Sequence, residues 1–122
     1  MSEIENYRVA NGDSGRSLEA VILKAGDDLL IKITGGARPH IGTVVLARPD
    51  GADGVCTEAM TIPPHKEEMP AREIARRLSA ACHRTVVVTA GIHEDELDAQ
   101  GICEYLELAD RMAAELGKLL RQ

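Results

Sequence analysis

Apolar and polar positions alternate loosely over residues 3–10, with Ile4, Tyr7 and Val9 apolar, and predict a short first strand. Asn11-Gly12-Asp13-Ser14-Gly15 is a dense turn signal. Residues 16–24 carry Leu18, Ala20 and Ile22 on one parity and Val21 and Leu23 on the other, which predicts a strand with much of both faces covered. After Ala25-Gly26-Asp27-Asp28, the run 29–34 makes a third strand and a hairpin with the second. Residues 43–48 form a fourth strand, ended by Pro49-Asp50-Gly51, and a weaker fifth follows over 55–62. Five strands joined by short Gly/Asp turns predict an antiparallel meander.

After Pro64 the period lengthens. Ala71, Ile74, Ala75, Leu78 and Cys82 recur at helical spacing, with Pro70 near the start, where its missing N–H does no harm. Residues 85–89, Thr-Val-Val-Val-Thr, form a β-branched run that predicts a central strand covered on both faces. The last helix shows an apolar stripe of Ile102, Tyr105, Leu106, Ala109, Met112, Ala113, Leu116 and Leu120, with Asp98 as its N-cap. Strands, a helix, a strand and a long helix give an α+β fold: a mostly antiparallel sheet of five to six strands with two main helices packed against it. At 122 residues the chain is expected to be a single domain spanning 1–122.

Composition narrows the function. With two Tyr and no Phe or Trp, the core must be aliphatic, and aromatic stacking on single-stranded nucleic acid has no platform. A net charge of −6, without a Lys/Arg run, argues against nucleic-acid binding. No apolar run of about 18 residues is present, so no membrane span is expected. The first residues lack a basic start and an apolar core, so a cytoplasmic location is expected. Cys56, Cys82 and Cys103 have no CxxC spacing and are expected to be reduced, buried and small-hydrophobe-like.

Three junctions carry the chemistry. Gly35-Gly36-Ala37-Arg38-Pro39-His40-Ile41-Gly42 combines glycines, whose N–H groups can face a ligand closely, with a cation and an imidazole. His65 and Lys66 precede the first helix, beside its positive end, where an anion is favoured. His93 follows the central strand through Gly91-Ile92. Taken singly, each is as well explained by loop geometry or capping. Jointly, His40, His65 and His93 suit either a divalent-metal site or a proton-handling pocket. His83 is expected at the surface.

Gly35 to Gly42, then Pro64-His65-Lys66-Glu67, then Val88-Thr89-Ala90-Gly91-Ile92-His93-Glu94-Asp95 resemble the small D subunit associated with gallate decarboxylase, a group also described as prenylated-flavin chaperones. The resemblance spans about residues 30–110. It implies a fold similar to the proteasome-assembly-chaperone type, a sheet with helices against it, often paired into dimers, so a homodimer is expected. It also implies a non-catalytic partner of a prenylated-flavin-dependent decarboxylase that binds prenylated FMN, shields it and helps deliver it. Carried onto this chain, Gly36, Arg38, His40, His65, Lys66, Gly91 and His93 would line the flavin nucleotide site, with Gly35, Pro39, Gly42 and Ile92 beside them. Arg38 and Lys66 would hold the phosphate, and the histidines would bind a metal or the flavin's polar edge.

Two other functions fit the same residues. One is a small metal-dependent hydrolase using His40, His65 and His93, with Glu67 or Asp95 as base. The other is an assembly chaperone without a ligand, in which the three motifs are loop geometry only.

Overall fold

A computed structural model describes residues 4–52, 54–63 and 67–121. Its elements are β1 (Ile4–Ala10), β2 (Ser17–Ala25), β3 (Asp28–Gly36), β4 (Thr43–Asp50), β5 (Gly54–Thr61), α1 (Glu68–Cys82), β6 (Val86–His93) and α2 (Ala99–Leu120). The architecture is α+β, as expected: one six-stranded, mostly antiparallel sheet with two helices against it.

The strand order corrects the meander. It is β1-β2-β3-β6-β4-β5, with β6 inserted between β3 and β4. β6 runs parallel to β3, pairing Leu29 with Val86 through to Gly36 with His93, and antiparallel to β4. Its Val86, Val88 and Ala90 are buried in the central slot between two neighbours.

Strand alternation sorts the sheet into two faces. Leu18, Ala20 and Ile22 of β2, Leu29, Ile31 and Ile33 of β3, Val86 and Val88 of β6, and Val45 and Ala47 of β4 are all buried on one face. That face is covered by Ala71, Ile74, Ala75 and Leu78 of α1 and by Leu108, Met112, Ala113 and Leu116 of α2. Burying each large aliphatic side chain there contributes about 1.5–3 kcal/mol. Asp98 caps α2 as expected, accepting from the Gly101 N–H at 2.8 Å.

Among the described residues no helix lies over the other face, so β2 and β6 are not covered on both sides. Val87 and Thr89 of β6 are only half-buried. Across this face, cross-strand pairing lines up Ile4, Leu23, Leu30, Val87 and Leu46 in one apolar row.

Two further expectations change. Ile102 and Leu106 lie about half exposed on the flank of α2, and Leu108 takes the core position instead. The buried set 101, 104, 105, 108, 109, 112 is the row that α2 turns towards the sheet; 102 and 106 are one residue, about 100°, off it. The cysteines are free, but none is fully buried, and Cys103 is exposed on the outer side of α2. His83 is exposed, as expected; it ends α1 in a left-handed conformation, donating its N–H to Ser79 O. Among the described residues no helix is long and apolar enough to cross a membrane.

Candidate functional site

Because β6 lies between β3 and β4, the chain leaving β3 must cross the end of β6 to reach β4. That crossing is segment 37–42. It is pinned at one end by the Ala37 N–H donating to His93 O at 2.7 Å, and at the other by Gly42 N–H donating to Ala90 O at 2.9 Å. Gly36 turns the chain out of β3 with φ +79°, where a β-carbon would collide with the His93 carbonyl. Gly91 lies under the crossing, and a β-carbon on it would overlap the carbonyl of His40. Gly42 in turn accepts from the Ile62 N–H at 2.8 Å, which ties the end of β5 to the same place.

The crossing brings two histidines together. The rings of His40 and His93 are 6.4 Å apart, edge to face at 77°. His40 Nδ1 donates to the Arg38 carbonyl at 3.0 Å, since that oxygen can only accept. Its Nε2 faces Glu67 Oε1 at 3.6 Å, an ion pair when the ring is protonated. Glu67 is 8% exposed and accepts from the Ile92 N–H at 3.3 Å. β4 has turned away at that point, so the carboxylate takes the ladder partner that Ile92 lacks.

On the exposed side, Arg38 and His93 converge on Asp95. Asp95 Oδ1 accepts from Arg38 Nη2 at 3.1 Å and lies 2.9 Å from His93 Nε2, while Arg38 Nη2 and His93 Nε2 touch each other. The His93 hydrogen bond, then the Arg38 charge, holds the Asp95 carboxyl below the usual carboxylate range. Behind it, Glu94 is gripped by Arg16, with Nη2 to Oε2 at 2.8 Å, and by the Tyr105 hydroxyl at 2.8 Å. Arg16 also reaches Glu104 at 3.2 Å. Arg16 first, then Tyr105, lowers the Glu94 pKa. Desolvation first, then the bond to Glu94, pushes Tyr105 up to about 12.

Gly36, Arg38, Pro39, His40, Gly42, Gly91 and His93 thus gather at the ends of the parallel pair β3 and β6, the end at which parallel strands present ligand crevices. Two of the expected residues point elsewhere. A β-carbon on Gly35 would face Leu18, and Ile92 packs against the core, so only its N–H reaches the cluster. His65 and Lys66 lie outside the described residues. Among the described residues no group of three His, Cys, Asp or Glu is placed to hold one metal ion. The cluster is an open surface, with Arg38 and Asp95 exposed by 68% and 78%.

Sequence reasoning missed the apolar half of this surface. Val44 pairs with Met60 across β4 and β5, and Ile62 follows on the same parity. With Ile41 from the crossing they are exposed apolar side chains around the start of β4, Met60 being 81% exposed, Ile62 57% and Ile41 54%. The spacing of Met60 in β5 and Ile62 just past its end was the available signal.

The residues present fit a phosphorylated ring compound in part. Arg38 and His93 suit the phosphate, and the exposed apolar side chains suit a ring system. Neither tyrosine offers a stacking face: Tyr105 is buried, and Tyr7 packs against the core.

The fold is shared with a solved protein of a chaperone complex. A solved structure described as a novel chaperone complex for yeast 20S proteasome assembly matches with a TM-score of 0.69, covering 98% of this chain and 99% of that one. At 15% identity, that likeness speaks for the fold alone. The sequence goes further. Residues 12–121 match the prenylated flavin chaperone LpdD-like domain, and the chain belongs to that family of chaperones. Protein LpdD of Lactiplantibacillus plantarum (strain ATCC BAA-793 / NCIMB 8826 / WCFS1) is 26% identical over 108 residues, 84% of this chain and 76% of that protein.

Proposed function

We propose that this protein is a non-catalytic accessory protein that binds prenylated FMN on the surface at the ends of β3 and β6 and supports a prenylated-flavin-dependent decarboxylase. The observation that carries the reading is that the sheet end bearing the Arg38–His93 cluster also carries exposed apolar side chains, Ile41 from the same crossing and Ile62, whose N–H bonds to Gly42. A phosphate-bearing, alkylated ring needs both. The family membership supports the same ligand class. In this reading Arg38 holds the phosphate, joined by Lys66. His93 stands beside Arg38 at the phosphate, His40 hydrogen-bonds the polar edge of the ring, and the exposed apolar side chains shield its face from water.

The hydrolase alternative has less support. Asp95 and Glu67, its candidate bases, are already engaged by Arg38 and His93 and by the Ile92 N–H. A divalent metal on His40 and His93 would need a third ligand such as His65.

We propose that the chain pairs as a homodimer through the uncovered sheet face. Its row of Ile4, Leu23, Leu30, Val87 and Leu46 can pair with itself about a two-fold axis.

Anaerobic titration of the purified chain with reduced prenylated FMN tests the ligand. Saturable binding is expected, weakened at least tenfold by His40→Ala or Arg38→Gln. Unchanged affinity in both variants would sink the reading.

A further inference from the structure

The surface assigned to the cofactor already contains an anion of its own. One carboxylate oxygen, Asp95 Oδ1, meets both Arg38 Nη2 and His93 Nε2, donors that come from two separate segments of the chain. Those two nitrogens also touch each other, the two groups converging on the same oxygen. The arrangement is that of an oxyanion site with an oxygen in it, and the oxygen belongs to the protein.

Asp95 is built to leave. Its ion pair with Arg38 is exposed at both ends, and such pairs are weak and screened by salt. The backbone beside it is fixed by a different contact, the grip of Arg16 and Tyr105 on Glu94. The Asp95 side chain can therefore swing away while His93 stays in place. A phosphate group would take the same two donors and offer further oxygens to the fork of the guanidinium.

We propose that Asp95 is an internal stand-in for the ligand's phosphate: the Arg38–His93 pair selects phosphomonoesters, and a bound phosphomonoester displaces the Asp95 carboxylate. This rests on the reading that Arg38 faces the anionic end of the cofactor. It adds the ligand class that the surface distinguishes, phosphorylated over unphosphorylated, and the group that competes for the site. Asp95 holds the two donors together in the empty state, and its charge lowers their affinity for any free anion.

Calorimetric titration of the full chain with inorganic phosphate, FMN and riboflavin tests this, in the wild type, Asp95→Asn and Asp95→Asn/Arg38→Gln. Asp95→Asn keeps the shape and removes the charge, and its exposed position leaves the fold intact. Inorganic phosphate and FMN are expected to bind this variant about five- to tenfold more tightly, from the loss of one nearby like charge and one exposed competitor. Riboflavin is expected to show no such gain, and the double variant to lose the gain altogether. Phosphate affinity that is unchanged or weaker in Asp95→Asn, or absent from both forms, overturns the proposal. If phosphate shows the gain while reduced prenylated FMN binds no form, the flavin reading fails and the phosphate site stands. If prenylated FMN binds the wild type with no gain in Asp95→Asn, the stand-in alone fails.

Discussion

The carbonyl of His40 lies over the α-carbon of Gly91, where any other residue would carry its β-carbon. This contact lets the β3–β4 crossing sit directly on the end of β6 and sets the two imidazoles 6.4 Å apart. Glycine at 91 is therefore a condition of the site and not only of a turn.

Gly91→Ala is expected to destabilise the protein by about 1–3 kcal/mol, because backbone must move to admit the methyl group. Thermal unfolding would show a fall in Tm of several degrees. Ligand affinity should fall as well, as the crossing is lifted from the strand. A Tm within one degree of the wild type would show that the crossing yields easily.

Glu94 carries an acid-sensitive part of the stability. Its folded pKa is depressed, by Arg16 first and Tyr105 second. Its contribution is therefore present above the unfolded value of about 4.3 and is lost as pH falls through the folded value. Glu94→Gln is expected to cost about 1–3 kcal/mol at pH 7. The gap between variant and wild type should narrow below about pH 4.3, measured by urea unfolding across pH. A gap that stays constant with pH would assign the cost to shape alone.

Tyr105 gives the alkaline counterpart. Its folded pKa is raised to about 12. Its contribution is full below the unfolded value of about 10 and is lost as pH rises through the folded value. Tyr105→Phe removes the hydroxyl bonded to Glu94 and is expected to cost about 1 kcal/mol near neutrality. It should also flatten the loss of stability between about pH 10 and pH 12. Ultraviolet titration of the phenolate against unfolding free energy checks both.

The uncovered sheet face gives a prediction about assembly. Leu30→Glu places a charge in the middle of the apolar row Leu23, Leu30, Val87. The variant is expected to remain folded, because the side chain points away from the core, and to shift towards monomer in light-scattering measurements. An unchanged oligomeric state would move the interface elsewhere.

Most of the elements were legible in the sequence, for a local reason. Alternation in 29–34 and 43–48 and helical spacing from Ala71 to Leu78 depend on which face each residue must bury, and that is written in neighbouring residues. Asp98 could be read as a cap because its partner, the Gly101 N–H, lies three residues away. The arginine at 38 and the imidazoles at 40 and 93 could be singled out in the sequence by residue type, while their meeting could not, because it depends on the long-range pairing of β3 with β6. The grip of Arg16 on Glu94 was not, because the two residues are 78 positions apart and neither stands out locally.

The sequence by itself determined the strands, the helices, the inward and outward parities and the residues able to do chemistry. Only the tertiary structure decided that β6 enters between β3 and β4, because strand pairing is a long-range choice that local patterning does not encode. That choice turned a glycine-rich connection into a bridge over a strand end. It placed Arg38 against His93, and it tied Ile62, unremarkable in the chain, to the end of the crossing at Gly42.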